Sequence, residues 1–250
     1  MNIRFLFAAL VCALALGSCG GNARTELFNG KDLAGWVCVV DSLGDVPAGE
    51  VFTVRDGNIR IAGQPIGYMR TARQYGDYRL HAEWRWIGEA TNSGIFQRVQ
   101  EGDKVWPQGI ECQLMAGRAG DLVLLGGARA AGIEPVGKFP VKARIGDAGC
   151  EKPAGEWNEA EIVCRGDRMT VYINGMLQNE CSGTDRTGYI ALQSEGGTLE
   201  FRNVYLTDVK SASGTAARIL ENEGRPRSRG RPSVVLRPDC YARIFAFQRR

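Results

Sequence analysis

Residues 79–115 contain three runs in which apolar and polar side chains alternate. In residues 79–86, Leu80, Ala82, Trp84 and Trp86 fall on one side and Arg79, His81, Glu83 and Arg85 on the other. This is the period of a β-strand. Ile95 and Val99 then alternate with Phe96 and Arg98, and Ile110, Cys112 and Leu114 with Glu111 and Gln113. A single solvated strand gives the same pattern. Three in succession, paired as antiparallel neighbours, predict one polar patch made of Glu83, Arg85, Arg98, Glu111 and Gln113.

The remaining pattern is also β. Phe52 and Val54, Asp56-Gly57, then Ile59 and Ile61 describe a hairpin whose turn pair tolerates positive φ. Met169, Val171 and Ile173 lead into Asn174-Gly175 and return through Met176 and Leu177 as a second hairpin. Further runs at 161–164, 188–194 and 199–206 bring the expected number of strands to about ten. Val204 breaks the alternation set by Leu199 and Phe201, which predicts a bulge near Asn203. Helical periodicity is confined to a short turn expected over 122–130. Long loops are expected over 35–50 and 128–156, and loops of that length often form functional rims. The fold class that follows is all-β, a sandwich or a barrel.

Composition changes this picture mainly at the two ends. The 250 residues, 44% of them hydrophobic, suffice for one large β domain. Arg4 precedes an apolar run over 5–16 that is too short to span a bilayer and suits the core of a signal peptide. Leu16-Gly17-Ser18-Cys19 resembles a bacterial lipobox, in which the signal is cut before the cysteine and the cysteine is acylated. The expected location is the bacterial cell envelope, as a lipoprotein anchored to a membrane through Cys19. At the other end, residues 211–250 hold nine arginines and three acidic residues, a surplus of +6 that leaves the rest of the chain at −3. Arg225, Arg227, Arg229 and Arg231 are interleaved with Pro226, Gly230 and Pro232, the composition of a disordered basic tail. No nucleic-acid motif accompanies it. Cys38, Cys112, Cys150, Cys164, Cys181 and Cys240 form no CxxC pair or Cys/His cluster, which argues against a zinc site.

The candidate chemistry lies in carboxylates on a sheet face. Burial raises one carboxyl's pKa and a nearby arginine lowers another's, so such residues divide acid and base work. Glu111 and Glu83 are the leading pair, and Glu195 alternates onto one face with Tyr189 and Gln193. His81, the only histidine, falls beside Glu83, and one histidine excludes a multi-histidine metal site. Trp106 stands in a loop with Pro107, where an indole offers its face to a sugar ring. No glycine-rich nucleotide motif joins a strand to a helix, so no cofactor is expected. Asp103 and Asp121 are the carboxylates available to calcium, without EF-hand spacing.

Several motifs then recur in one order. They are Glu26-Leu27-Phe28-Asn29-Gly30-Lys31-Asp32-Leu33 with Gly35-Trp36, Gly67-Tyr68-Met69-Arg70-Thr71, Tyr75-Gly76-Asp77-Tyr78 and Asn92-Ser93-Gly94-Ile95-Phe96. The order continues with Trp106-Pro107-Gln108-Gly109-Ile110-Glu111-Cys112-Gln113-Leu114, Gly120-Asp121, Glu151-Lys152-Pro153, Gly155-Glu156-Trp157-Asn158, Leu192-Gln193-Ser194-Glu195-Gly196-Gly197 and Glu200-Phe201-Arg202-Asn203-Val204. Over residues 25–210 the chain resembles the 3-keto-disaccharide hydrolase family of bacterial secreted proteins. The resemblance implies a concanavalin-like jelly-roll β-sandwich of two antiparallel sheets with a concave ligand face.

It also implies a carbohydrate substrate oxidised to a ketone at carbon 3. The ketone acidifies the hydrogen at carbon 2, so a base removes it, the group at carbon 1 leaves, and water adds. On this reading Glu111 is general base or acid with Glu83 or His81 as partner. Arg85, Arg98, Gln113, Trp106, Gln193 and Glu195 then bind substrate and stabilise enolate charge. The chain lacks the ExDxxE pattern of laminarinase-type glycosidases of this fold, which disfavours two-carboxylate retaining hydrolysis. The alternative is a non-catalytic carbohydrate-binding module, which needs aromatic platforms but no perturbed acid. The expected layout is a signal peptide over 1–18, a short linker over 19–24, the jelly roll over 25–210 and the basic tail over 211–250.

Overall fold

A computed structural model describes residues 24–41, 46–146 and 148–209. The expected signal peptide, the expected lipid site Cys19 and the expected basic tail all lie outside these. The chain begins with strands β1 (Arg24–Glu26) and β2 (Trp36–Val40), a single helical turn α1 (Ala48–Val51), and the hairpin β3 (Phe52–Arg55) and β4 (Asn58–Ile61). It continues through β5 (Gly67–Thr71), β6 (Tyr78–Trp86), β7 (Gly94–Val99), β8 (Gly109–Gln113), β9 (Leu122–Leu125) and β10 (Val141–Lys142). The hairpins β11 (Asn158–Arg165), β12 (Arg168–Ile173) and β13 (Met176–Cys181) follow, then β14 (Tyr189–Ser194) and β15 (Leu199–Thr207).

These strands form two antiparallel sheets. One sheet has the order β13-β12-β11-β6-β15-β4-β3, with β1 also paired to β15; the other has the order β10-β9-β8-β7-β14-β5-β2. The apolar face of β6, with Leu80, Ala82, Trp84 and Trp86, packs against Ile95, Ile110, Cys112 and Leu124 of the second sheet in one shared core. Fully burying each large apolar side chain contributes about 1.5–3 kcal/mol, so these alternating faces fix which side of each strand turns inward. The expected all-β jelly-roll sandwich is therefore what the chain adopts.

The two turn pairs behave as their chemistry demands. Asp56 and Gly57 have φ of 51° and 75°, and Asn174 and Gly175 have 48° and 78°, the left-handed pairs of two-residue hairpins. The expected bulge also forms. Arg202 pairs with Glu83 and Tyr205 with His81, so one strand carries an extra residue there, Asn203, at a φ of 50°.

Three expectations fail. Residues 122–125 form β9 rather than a helical turn, because Leu122 and Leu124 fill the inter-sheet core while Val123 and Leu125 are buried on the opposite face. A strand buried on both sides is a continuous apolar run, which periodicity does not separate from a helix. Of the two expected long loops, that over 35–50 contains β2 and α1 and that over 128–156 contains β10.

The third failure decides where the site lies. β6 is followed by a crossover, and β7 and β8 belong to the other sheet. In a sandwich the apolar faces meet and the polar faces point apart. The expected single patch is therefore split, with Glu83 and Arg85 on the outside of one sheet and Glu111 and Gln113 on the outside of the other.

Candidate active site

The outer face of the β10-to-β2 sheet carries a second, smaller apolar cluster of Tyr68, Phe96, Val99, Val123, Leu125 and Ala191. Trp106, Phe139, Val141 and Tyr189 pack against it from the rim. Strand register sets the polar residues beside this cluster. Tyr68 pairs with Gln193 on β14, Gly94 with Gln113 on β8, and Phe96 lies between Ala191 and Glu111. Alternation puts Tyr68, Gln193, Gly94, Glu111 and Gln113 on this one face.

Glu111 is the chemical centre of the group. It is 3% exposed, and its Oε1 is fully enclosed with no hydrogen-bond partner. Burial pushes its carboxyl well above the usual range, and the negative charge of Glu195 adds to the shift. Gly94 explains the position of the carboxyl, because a Cβ there would collide with Glu111 Oε1, Cδ and Cγ. The absent side chain lets the Glu111 carboxyl lie across β7 toward β14.

Glu195 follows β14 and is 5% exposed. Gln193 Nε2 donates to its Oε2 at 2.8 Å. Gly196, at a φ of 89°, holds the chain against Thr91 and Asn92, where a Cβ would lie 2.6 Å from Thr91 Oγ1. A left-handed residue without a side chain is needed at this turn. Gln113 is oriented just as firmly. Its Oε1 accepts from the Leu114 and Met115 backbone amides, each at 3.1 Å, which leaves its nitrogen as the end available to a ligand.

Besides Glu111 Oε1, Tyr68 Oη, Asn92 Oδ1 and Gln193 Oε1 are enclosed without a partner. Buried polar atoms are ordinarily bonded, since desolvating one costs about 1–3 kcal/mol. Burial pushes the Tyr68 phenol up to about 12, so it remains a neutral donor. An acid, a phenol and amide oxygens on one face, each lacking a partner, suit a ligand rich in hydroxyl groups. All are at most 7% exposed, so contact with a sugar requires the side chains around them to shift.

The other sequence candidates lie elsewhere. Glu83 accepts from Arg202 Nε at 2.7 Å and Asn203 Nδ2 at 2.6 Å, which ties down the β15 bulge. Burial works to raise its carboxyl, but these two bonds together with the neighbouring positive charge of Arg202 hold it below the ordinary value. His81 stacks on Tyr205 with centroids 4.7 Å apart and its Nε2 lies 3.7 Å from Glu83. Arg85 donates twice to Glu200 and lies over Trp157. These residues share the outer face of the β13-to-β3 sheet and cannot assist Glu111.

Arg98 is a different correction. Tyr189 pairs with Val99 but Ala191 with Phe96, so β7 carries an extra residue at Arg98, which has a φ of 56°. This bulge turns Val99 outward. Arg98 is instead buried, donating to the carbonyls of Tyr75, Gly76 and Gly166 at 3.1, 2.6 and 3.2 Å. Both Nη atoms are committed to backbone and its Nε is enclosed without a partner, so it sits apart from the Glu111 face.

Trp106 keeps a rim position, with its ring centroid 5.0 Å from that of Phe139. The loop that bears it is fastened by Arg70, whose Nε and Nη2 donate to Asp103 at 2.6 and 2.9 Å. Asp103 and Asp121, the residues considered for calcium, thus face Arg70 and, at 3.4 Å, Arg118. Ligand atoms of His81, Glu159 and Glu161 lie within 4.8 Å of one another on the opposite outer face, but Glu161 is paired with Arg79. Tyr68 and Asn92 are the site residues that sequence reasoning missed. Alternation within Gly67-Tyr68-Met69 and Asn92-Ser93-Gly94 carries the signal for both.

Among known proteins, the sequence profile of the 3-keto-alpha-glucoside-1,2-lyase-like domain matches residues 23–207. The chain belongs to this family. Comparison with proteins of curated function gives no match. Among solved structures, the 3-keto-alpha-glucoside-1,2-lyase-like domain is similar to a Parabacteroides distasonis protein described as a "putative glycosyl hydrolase". The identity is 23% and the TM-score 0.55, over 74% of this chain and 94% of that one. It is also similar to the carbohydrate-binding module CBM66 of Bacillus subtilis, at 12% identity and a TM-score of 0.53, over 70% and 96% of the two chains. A Bacillus licheniformis beta-glucanase aligns at 13% identity and a TM-score of 0.50, over 76% and 99%. At such identities these likenesses show the fold, a glycosyl hydrolase-like jelly roll.

The site geometry gives a direct test of how Glu111 is positioned. Gly94→Ala should displace the Glu111 carboxyl while leaving the strand intact, because the three nearest atoms all belong to the flexible side chain of Glu111. A crystal structure of the variant should show Glu111 in another rotamer, and any activity that depends on Glu111 should fall at least tenfold.

Proposed function

We propose that the domain is an enzyme that cleaves glycosides carrying a ketone at sugar carbon 3, by elimination across carbons 1 and 2 followed by hydration. The observation that carries this reading is Glu111, an enclosed carboxyl with an unpartnered oxygen and a raised pKa on a sheet face. A plain binding module has no use for such a group, whereas proton transfer at neutral pH requires one. Family membership supports the choice of substrate, since the family is described by a lyase acting on 3-keto-alpha-glucosides.

The ketone makes the carbon 2 hydrogen acidic, so the site needs a base, an acid and donors for the enolate oxygen. Glu111 and Glu195 supply the carboxyls. Tyr68 and the amide nitrogen of Gln113 supply neutral donors of the kind that stabilise developing oxyanions. Incubating the purified protein with a 3-keto glucoside and with the parent glucoside tests the reading. Leaving-group release from the 3-keto form alone is expected. Release from the parent glucoside as well indicates a conventional glycosidase, and binding without release a carbohydrate-binding module.

Location in the cell envelope is the second part of the proposal, and it is read from residues 1–19 alone. Labelled palmitate should be incorporated into the chain in a bacterial host, and Cys19→Ala should abolish that incorporation and release the protein from membranes.

A further inference from the structure

Glu111 and Glu195 come from β8 and from the segment after β14, which in the sheet are separated by β7. The residue of β7 beneath the Glu111 carboxyl is Gly94, so no side chain of that residue stands between the two acids. Their surroundings differ. Glu195 accepts a hydrogen bond from Gln193 Nε2 at 2.8 Å, and a donor favours a charged carboxylate. Glu111 Oε1 is enclosed with no donor at all, and an unbonded buried oxygen favours the neutral acid. Two carboxyls whose environments separate in this way divide acid from base.

We propose that Glu195 is the base that takes the proton from carbon 2 and Glu111 the acid that protonates the oxygen leaving carbon 1. The assignment rests on the 3-keto reading above. In the elimination, the C2–H bond breaks and its proton passes to Glu195. The electron pair forms the C1=C2 double bond, and the C1–O bond breaks as its oxygen takes the proton of Glu111. Glu111 is then ionised and Glu195 neutral. Hydration runs the pair in reverse: Glu111 removes a proton from water as its oxygen bonds to carbon 1, and Glu195 returns a proton to carbon 2. Both carboxyls end in their starting states, and no oxidant or reductant is consumed.

The roles separate on a 3-keto 1,5-anhydrohexitol, which has an acidic hydrogen at carbon 2 but no leaving group at carbon 1. In D2O the wild-type protein should exchange that hydrogen, followed by proton NMR. Glu195→Gln should slow the exchange at least a hundredfold, while Glu111→Gln should keep it within a few-fold. On cleavable substrates, Glu111→Gln should lose most with an alkoxide leaving group and least with 4-nitrophenoxide, which leaves without an acid. Circular dichroism checks folding, and Glu195→Asp, which keeps the charge on a shorter arm, replaces the glutamine variant if that one is unstable; its exchange should fall about tenfold. Loss of exchange in Glu111→Gln, or its persistence in both glutamine variants, overturns the assignment. A wild-type protein that cleaves no 3-keto glycoside overturns the functional reading instead.

Discussion

Glu111→Gln is expected to lower kcat/KM for a 3-keto glycoside about a thousandfold while leaving the folded protein no less stable at neutral pH. Both halves follow from one burial. In the fold Glu111 holds its proton, whereas in the unfolded chain it ionises near the ordinary glutamate value of about 4.3. Between that pH and its own raised value, the native state binds more protons than the unfolded one. Stability contributed by the protonated group is therefore fully present below about 4.3 and is lost as pH rises, by up to about 1.4 kcal/mol per unit. The amide of Gln does not titrate, so the variant should lack this slope. Urea unfolding of both proteins from pH 4.5 to 8 measures it. Glu83 and Asp103, held below their ordinary values, give slopes of the opposite sign at acid pH. They are the same in both proteins and cancel in the difference. A residue that weakens the fold where it is needed for chemistry is the usual trade between stability and activity.

Arg98→Ala is expected to destabilise the fold by about 3–4 kcal/mol, the largest stability effect predicted for any of the arginines considered. Its guanidinium bonds three carbonyls that belong to the segment before β6, in Tyr75 and Gly76, and to the β11–β12 turn, in Gly166. It thereby ties the β7 bulge of one sheet to segments bordering the other. Removing it strips those carbonyls of a charged donor and leaves space beside Tyr78, which lies 5.4 Å from the guanidinium. Arg85→Ala serves as the contrast. Arg85 is 32% exposed, and its buried partner Glu200 keeps Arg60 at 3.3 Å, so the loss should be about 1–2 kcal/mol. Denaturant unfolding of the two variants should show the difference, with neither raising KM directly.

The sequence pattern made the faces of the strands legible but not their neighbours. Alternation assigned Trp84 and Trp86 to the core and Glu111 and Gln113 to an outer face, because burial acts on each strand separately. It carried no information on which strands pair, since a crossover after Trp86 and a hairpin there leave the same periodicity. That is why His81, Glu83 and Arg85 were expected beside Glu111 and lie on the other sheet. The two bulges show the same limit at finer scale. Val204 sits out of phase with Phe201, which reveals the bulge at Asn203. At Arg98 the apolar residues Ile95 and Val99 stay in phase, and the inward position between them is filled by Gln97, which accepts from the Tyr78 hydroxyl at 2.7 Å. A polar residue satisfied across the core leaves no mark in hydropathy. Glu195 was placed with Gln193 by alternation, but its approach to Glu111 depends on strand order and on the missing side chain of Gly94.

Elimination and hydration differ from direct hydrolysis in the fate of one hydrogen. Cleaving a 3-keto glucoside in D2O and examining the released sugar by mass spectrometry and proton NMR, with the same sugar incubated without protein as the background, reads it directly. The account predicts solvent deuterium at carbon 2 of the product. Product that retains its original hydrogen at carbon 2, together with no primary isotope effect on cleavage of substrate deuterated at that carbon, contradicts it.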